Sequence, residues 1–372
     1  MAQELRILFA GGGTGGHLYP GLAVARQVTA MVPEAHIAFV ATRKAIDRRL
    51  LESGPYAARF EDTRGFSSRP WHWPGFAIRL ITSMRRARAY LAEFRPQAVV
   101  GLGGYGSYPA VREAQKLHLP TFVLNPDLIP GRANRWLAAR ATVVFCQFPE
   151  TVGHLRCGGR VEVLGCPLRE ELFGVRRDEA VSVLGLDPER KTLAVTGASS
   201  GARSVNMAVV RLADRLAQLS GWQVLHLTGR DLFEEVRRAL GGDRPNYHLL
   251  DYVDDMGRVY AAADLAIARA GAGTVAEITA LGLPSVLMPY PFHRDRHQER
   301  HARALADGGA AVMVLDQVDA ERNAEALWDV LSELMTDNDR RARMADAARR
   351  LGHPAAARSV AAAVISAVGQ IP

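Results

Sequence analysis

Apolar runs that end in glycine-rich turns constrain the fold of this chain more than any other feature. The first run, residues 5–10, is followed by a turn at 11–17 with the sequence GGGTGGH and by an apolar-periodic helix at about 18–31. A second run, 98–101, leads into another glycine turn at 101–109 that opens a helix. The order of strand, glycine turn and helix is typical of a doubly wound parallel sheet, which binds ligands at the carboxyl ends of its strands.

The same order restarts in the second half of the chain. We predict a strand at 192–196, a small-residue turn at 197–202 and a helix at 203–219. Residues from about 170 to 191 are charged and poor in strands, so we place the junction near Pro167. The 372 residues suffice for two domains of ordinary size. We therefore predict an α/β protein with domains at 1–166 and 167–372, and allow for the last helix to pack back on the first domain.

The first glycine turn lacks the pattern of a nicotinamide-dependent dehydrogenase. Such enzymes combine GxGxxG with an acidic residue after the second strand, which binds the adenosine ribose. Here the predicted second strand, 36–40, is followed by Ala41, Thr42, Arg43 and Lys44. The absence of an acid at this point counts against a dehydrogenase.

Residues 270–277 form a turn that is nearly free of side chains, between a predicted strand at 264–268 and a predicted helix at 274–281. Backbone N–H groups and the helix dipole at such a point favour an anion. Glu277 lies about one turn further in, where a phosphate would repel it but the hydroxyls of a ribose would suit it. The alternative is a tight strand–helix turn with an acidic first turn.

His17 ends the first glycine turn. A polar residue at a helix start often only caps the helix. The positive end of the helix dipole also lowers the pKa of an imidazole and keeps it neutral, so His17 is equally a candidate general base. The residues alone leave both interpretations open.

Charge and composition limit the partners. A formal net charge of +7 favours anionic partners, although the basic residues do not alternate with aromatics as in a nucleic-acid-binding protein. The three cysteines form no CxxC pair, and we expect them to be reduced in a cytosolic compartment. We find neither a signal-peptide pattern nor an apolar stretch long enough to span a bilayer, so any membrane contact would be peripheral.

An aromatic and basic segment begins at residue 71. An amphipathic helix with exposed aromatic and arginine side chains could rest on an anionic lipid surface, whereas a core helix with a solvated basic face is the alternative. The candidate membrane-facing residues are Trp71, Trp73, Phe76, Ile78, Arg79 and Arg85.

Residues 293–301 contain three histidines and an aspartate, which invites a metal interpretation. His297 and His301 could share a helix face, but HExxH spacing is absent and several neighbours are basic. We expect a solvated or ligand-facing polar surface here, and no metal.

Six motifs in one order resemble the MurG family of glycosyltransferase family 28, over nearly the whole chain. They lie at residues 12–17, 103–105, 199–203, 253–256, 270–277 and 295–298. The resemblance implies a GT-B fold, in which two Rossmann-like domains with parallel sheets face a central cleft. It implies inverting transfer of N-acetylglucosamine from UDP-GlcNAc to the muramyl sugar of undecaprenyl-pyrophosphoryl-MurNAc-pentapeptide, for peptidoglycan synthesis and hence cell shape and division. It further implies no cofactor, no required divalent ion, and a peripheral place on the cytoplasmic face of the plasma membrane.

The resemblance also implies roles for individual residues. His17 would be the catalytic base, Glu277 would bind the ribose, and the backbone of Val253 would receive uracil. Ser199 and Thr274 would contact the diphosphate, and Gln298 the sugar. The complete set of substrate-binding residues is Thr14, Gly15, Gly16, Asp127, Arg169, Ser199, Val253, Ala272, Gly273, Thr274, Val275, Ala276, Glu277 and Gln298.

The chain departs from the family pattern at three positions. Asp127 and Cys166 stand where asparagines are usual, and His297 replaces a glutamine. An acid cannot donate as an amide does, which bears on donor and acceptor contacts. Two alternatives therefore stay open: a UDP-N-acetylglucosamine 2-epimerase on the same two-domain fold, and a non-catalytic protein that binds UDP-sugar or lipid.

Overall fold

The computed structural model describes residues 4–62, 73–197, 201–293 and 295–369, with the side chains of Trp73 and Pro74 excepted. It divides into two compact units, residues 1–169 together with 354–372, and residues 170–353. The division after Arg169 lies three residues beyond the junction that we placed between 166 and 167, and the last helix belongs to the first unit.

The first unit is built on a seven-stranded parallel sheet. Its strands are β1 (Arg6–Ala10), β2 (His36–Thr42), β3 (Ala57–Glu61), β4 (Ala98–Gly101), β5 (Thr121–Asn125), β6 (Val143–Cys146) and β7 (Arg160–Val163). Its helices are α1 (Gly15–Met31), α2 (Ala45–Glu52), α3 (Trp73–Phe94), α4 (Gly104–Lys116) and α5 (Arg132–Ala138). The strand order is β3-β2-β1-β4-β5-β6-β7, so the chain reverses direction across the sheet between β1 and β4.

The second unit repeats this plan with six parallel strands. They are β8 (Lys191–Thr196), β9 (Trp222–Leu227), β10 (Tyr247–Leu250), β11 (Leu265–Ala268), β12 (Ser285–Leu287) and β13 (Ala311–Met313). The helices are α6 (Arg177–Val183), α7 (Arg203–Arg211), α8 (Ala213–Ala217), α9 (Phe233–Leu240), α10 (Met256–Ala262), α11 (Ala272–Leu281), α12 (His297–Asp307), α13 (Ala320–Thr336) and α14 (Asn338–Leu351). The order β10-β9-β8-β11-β12-β13 reverses between β8 and β11. The prediction of two Rossmann-like parallel-sheet domains is confirmed.

The strands inside each sheet are largely apolar runs because helices cover both faces of the sheet. In the first unit, Phe9 and Phe39 stack at 5.1 Å between ring centres on neighbouring strands. In the second unit, the buried Trp222 donates from Nε1 to the carbonyl oxygen of Met335 over 3.0 Å, which ties β9 to α13.

The last helix, α15 (Ala356–Gly369), follows the second unit in sequence but packs against α1 in the first unit. Val360, Ala361 and Val364 are fully buried in the core that also contains Phe9 and Phe39. The first unit thus takes part of its core from residues beyond 353.

Within the described chain, residues 338–369 are by length and composition a candidate membrane span, contrary to our expectation that no apolar stretch is long enough. The structure interrupts this stretch at residues 352–355, between α14 and α15. Each helix has 14 residues. At 1.5 Å per residue each is about 21 Å long, which is shorter than the roughly 30 Å hydrocarbon core of a bilayer.

Candidate functional site

The first glycine turn lies at the carboxyl end of β1, beside the point where the strand order reverses. Gly11, Gly12 and Gly13 have φ angles of +138°, +144° and +92°, which other residues rarely adopt. A Cβ atom on Gly12 would lie only 2.4 Å from Oδ2 of Asp47. Close approach of this buried side chain therefore requires glycine at the turn.

Asp47 holds the turn in place. Its side chain is fully buried near the start of α2. Its two carboxylate oxygens accept from the Gly13 N–H over 2.9 and 2.7 Å, and Oδ2 also accepts from the N–H and hydroxyl of Thr42 over 3.0 and 2.6 Å. Lys44 Nζ donates to the Gly13 carbonyl oxygen over 2.9 Å. Our sequence reasoning missed Asp47, although an acid in the first turn of a helix after the second strand was the available signal.

His17 lies in the first turn of α1, with its ring against the backbone of the second glycine turn. A Cβ atom on Gly103 would lie 3.0 Å from His17 Cδ2. His17 Nδ1 is 2.9 Å from Thr14 Oγ1, so the tautomer protonated on Nδ1 donates to Thr14 and leaves Nε2 as an acceptor. Burial lowers the pKa of His17, while the carboxylates of Asp127 and Asp47 oppose this shift. The geometry thus favours a neutral imidazole.

The other residues predicted for the first unit surround His17. Thr14 and Gly16 are exposed and Gly15 is half-buried, at the open start of α1. Asp127 follows β5, and its carbonyl oxygen accepts from Asn125 Nδ2 over 2.6 Å. The effect of its carboxylate on His17 places both groups at the same edge of the sheet.

Arg169, which we predicted near the diphosphate, is the last residue of the first segment of the first unit. Its guanidinium carbon lies 4.3 Å from the centre of the Tyr19 ring on α1, in a cation–π arrangement. Tyr19 lies two residues after His17 on α1. Its contact with Arg169 therefore holds the guanidinium close to the first turn of that helix.

In the second unit, α11 begins at Ala272 rather than at Thr274. Gly271 is extended and precedes the helix without a side-chain cap, and its carbonyl oxygen accepts from the Val275 N–H over 3.0 Å. Our predicted start at 274 is therefore wrong by two residues, because Ala272 and Gly273 adopt helical angles. A Cβ atom on Gly273 would meet no atom within 4 Å, so space above the helix start is open.

Glu277 is half-buried on α11, and its carboxylate accepts from the hydroxyl of Tyr260 on α10 over 2.8 Å. Thr274 and Glu277, three residues apart, share one face of the helix. Behind the turn, the buried His301 contacts the Ala270 carbonyl oxygen from Nδ1 over 3.0 Å. The turn is thus supported from one side and open on the other.

A cavity of about 790 Å³ lies at the carboxyl ends of β8 and β11, where the second sheet reverses its order. Thr274, Gly271 and Gln298 line it, together with Ser204 and Arg269. Gln298 is oriented by its side-chain oxygen, which accepts from the backbone N–H of Tyr290 over 2.9 Å. The volume is within the usual range for small-molecule sites.

A buried ion pair forms part of the cavity wall, and sequence reasoning missed it. Arg269 Nη1 lies 2.8 Å from the fully buried carboxylate of Asp316. The guanidinium also donates to the carbonyl oxygens of Met288 and Pro289 and to Ser204 Oγ. These partners satisfy the charge and fix the end of β11. Asp316 is distant in the sequence, so no local pattern indicated the pair.

A buried hydrogen-bond chain supports the turn after β8. Tyr247 donates to His226 Nδ1 over 2.7 Å, and His226 Nε2 donates to Asn206 Oδ1 over 3.1 Å. Asn206 in turn donates to the Thr228 carbonyl oxygen, which a Cβ atom on Gly201 would approach to 2.0 Å. Burial lowers the pKa of His226 to about 3, so this histidine is neutral.

The other predicted residues lie in the loop after β10 and on α3, or outside the described residues. Val253 is half-buried in the loop between β10 and α10, and Ser199 and Trp71 lie outside the described residues, as does the side chain of Trp73. On α3, Phe76 is half-buried, and Arg79 pairs with Asp62 at 3.3 Å. Ile78 and Arg85 are exposed on the same helix.

Comparisons with known proteins agree over the length of the chain. The glycosyltransferase family 28 N-terminal domain matches residues 7–146, and the corresponding C-terminal domain matches residues 192–360. A Chlorobaculum tepidum protein named UDP-N-acetylglucosamine–N-acetylmuramyl-(pentapeptide) pyrophosphoryl-undecaprenol N-acetylglucosamine transferase is 36% identical over 375 residues, covering 97% of this chain and 99% of the relative. A Desulfitobacterium hafniense (strain Y51) protein of the same name is 34% identical over 356 residues, covering 94% and 96%.

A crystal structure of Acinetobacter baumannii MurG has a TM-score of 0.76 to this chain at 26% identity, and the match covers 97% of this chain and 99% of that structure. The two domain matches, the two relatives and the solved structure therefore all indicate the same family. The chain belongs to the MurG family of glycosyltransferase family 28 and is a glycosyltransferase.

Proposed function

We propose that this glycosyltransferase moves N-acetylglucosamine from UDP-GlcNAc to the muramyl sugar of a polyprenyl-pyrophosphate-linked MurNAc-pentapeptide, with inversion at the anomeric carbon. The two relatives described above carry names that state this donor and this acceptor. The observation that carries the proposal is the arrangement on α11, where an uncapped helix start opens beside a cavity and Glu277 follows Thr274 on the same face.

Each part of the donor has a chemically suitable partner in the second unit. The N–H groups at the start of α11 suit the diphosphate, since a helix N-terminus favours anions. The Glu277 carboxylate is held by Tyr260 and is suited to accept hydrogen bonds from both ribose hydroxyls. Gln298 lines the cavity and suits the sugar. The family resemblance assigns the uracil to the backbone of Val253.

His17 is the base that we propose for the acceptor. The acceptor hydroxyl gives its proton to Nε2 of His17, and its oxygen forms the new bond to the anomeric carbon of the donor. The bond from that carbon to the diphosphate oxygen breaks, and UDP leaves with the electron pair. Preorganised N–H groups at a helix start stabilise the growing negative charge on the diphosphate.

The direct test measures UDP release over a panel of UDP-sugars, with and without a soluble analogue of the lipid-linked acceptor. We expect release with UDP-GlcNAc only when the acceptor is present. Interconversion of UDP-GlcNAc with its 2-epimer in the absence of acceptor would instead identify an epimerase. Donor binding with no release in either condition would identify a non-catalytic protein.

We also propose that α3 places the protein on the cytoplasmic face of an anionic membrane. Ile78 is 66% exposed and Ile81 is 51% exposed, and with the exposed Arg85 they follow the spacing i, i+3, i+7 of one helix face. Apolar side chains flanked by arginine suit the boundary between headgroups and acyl chains.

A further inference from the structure

Three potential metal ligands meet in the segment that joins β12 to α12. His293, Asp295 and His297 each offer one ligand atom, and these atoms all lie within 4.8 Å of one another. His293 and Asp295 are exposed, and His297 is half-buried as the first residue of α12. His293 and Asp295 belong to the loop before α12, and His297 is the first residue of that helix.

The side chains are already gathered in the structure. The rings of His293 and His297 lie 4.2 Å apart between centroids and are inclined by 61°. His297 Nδ1 is 2.8 Å from Asp295 Oδ1. Bonds of about 2.0–2.2 Å to one zinc ion place ligand atoms roughly 3–4 Å apart, so small rotations of exposed side chains suffice.

Part of the positive charge next to this cluster is offset. Arg296 donates from Nε to the Glu299 carboxylate over 2.5 Å, and Arg303 Nη2 donates to the same carboxylate over 3.2 Å. Glu299 is only 15% exposed at its side chain, so it holds both guanidinium groups close to the helix. One of the basic neighbours that argued against a metal in the sequence, Arg296, thus has an acidic partner.

We propose that His293, Asp295 and His297 form a binding site for one divalent first-row transition cation of the zinc class. Two imidazoles and one carboxylate suit such ions, whereas magnesium and calcium prefer oxygen ligands. Three protein ligands leave coordination positions for water or for an oxygen of a bound molecule. This proposal replaces our expectation of a metal-free polar surface.

The site adjoins the cavity of the second unit. Tyr290, Phe292 and Gln298 line that cavity and belong to the same segment as the three ligands. The Tyr290 ring contacts the His293 ring edge-on, with 5.1 Å between centroids. A cation bound here would therefore fix the segment that forms one wall of the cavity.

The test uses full-length protein without affinity-tag histidines, freed of metal by a chelator and titrated with Co²⁺. We expect visible absorption bands from one Co²⁺ per chain, displaced by one equivalent of Zn²⁺. His293→Gln and His297→Gln should each weaken Co²⁺ binding by at least tenfold. His154→Gln, which changes an exposed histidine of the first unit, is the matched control and should bind as the wild type does.

Two results would overturn the proposal. One is Co²⁺ uptake well below one equivalent by wild-type protein whose circular dichroism shows that it is folded. The other is an affinity that is the same in the wild type, His293→Gln and His297→Gln. Because the readout is metal content and absorption, it is independent of whether the chain transfers the sugar that we propose.

Discussion

The hydroxyl of Tyr260 donates a hydrogen bond of 2.8 Å to the carboxylate of Glu277 and thereby connects α10 to α11. This contact orients the carboxylate without neutralising it. If Glu277 binds the ribose, Glu277→Ala should raise the Kd for UDP by about ten- to a hundredfold, the usual effect of losing hydrogen bonds to a charged group. Isothermal titration with UDP measures this. Glu325→Ala, at an exposed glutamate of the same unit, is the control, and equal affinity in both variants would contradict the ribose assignment.

His17 gives a prediction about pH as well as rate. His17→Ala should lower kcat by about 10²- to 10⁴-fold, as expected for a general base, with the Kd for UDP unchanged. Burial lowers the pKa of His17, and a base works only when it is unprotonated. The acid limb of kcat/KM should therefore have its midpoint below the ordinary histidine value of 6.5, with activity falling as the pH falls. A midpoint above 6.5, or an equal loss of UDP affinity, would assign His17 a structural role.

Asp47 should control the shape of the first glycine turn. Asp47→Asn replaces one accepting oxygen by an NH₂ group that faces the N–H groups of Gly13 and Thr42. We expect a loss of roughly 1–3 kcal/mol in the free energy of unfolding, because buried donors lose their acceptor. We also expect a lower kcat with the Kd for UDP preserved, since UDP is proposed to bind in the other unit. Urea unfolding and steady-state kinetics measure the two effects, and a variant with wild-type values in both would refute this role.

His226 should make the second unit sensitive to acid. The pKa of the buried His226 is lowered to about 3, whereas an unfolded chain has the ordinary value of 6.5. Below pH 6.5 His226 is protonated in the unfolded state but stays neutral in the folded state. The contribution of this histidine to the free energy of unfolding is therefore fully present above pH 6.5, and it is lost as the pH decreases toward 3. Each unit of pKa difference corresponds to about 1.4 kcal/mol.

The measurement is the urea midpoint between pH 7 and pH 4. His226→Gln should be less stable than the wild type at pH 7 but should lose less stability on acidification. Parallel pH curves for the two proteins would show that His226 is not responsible.

The exposed face of α3 makes a prediction about lipid binding. The double variant Ile78→Glu, Ile81→Glu should sediment much less with vesicles that contain anionic lipid, because it removes apolar area and adds negative charge. Val183→Glu changes a side chain in the second unit that is 55% exposed and should leave sedimentation unchanged. An equal loss of sedimentation in both variants would mean that α3 is not the surface that binds the membrane.

The sequence predicted most of the strands that lie inside each sheet, because they are continuous apolar runs. It missed β3, whose residues 57–61 include Arg59 and Glu61, since an edge strand is only half-buried and need not be apolar. It also predicted one helix at 203–219 where the structure has α7 and α8, which divide at Leu212.

The residues of the candidate site likewise fall into those that the sequence indicated and those that it did not. Glycine turns are local signals, so His17 and Glu277 were singled out from their position after a strand, whereas the role of Thr274 came from the family resemblance. Asp47 and the Arg269–Asp316 pair act through contacts between elements that are distant in the sequence. No local residue spacing therefore indicates these contacts. The cluster at His293 was visible as a sequence pattern, but only the fold shows that its ligand atoms converge.

The return of α15 to the first unit has a consequence for biosynthesis. The first 169 residues leave the ribosome long before residues 356–369 are synthesised. Until then the hydrophobic core of the first unit lacks Val360 and Val364 and is incomplete. The second unit, whose segment is continuous, can finish folding earlier. A released chain that ends at residue 353 should therefore contain a protease-resistant second unit and a first unit that is still open to cleavage.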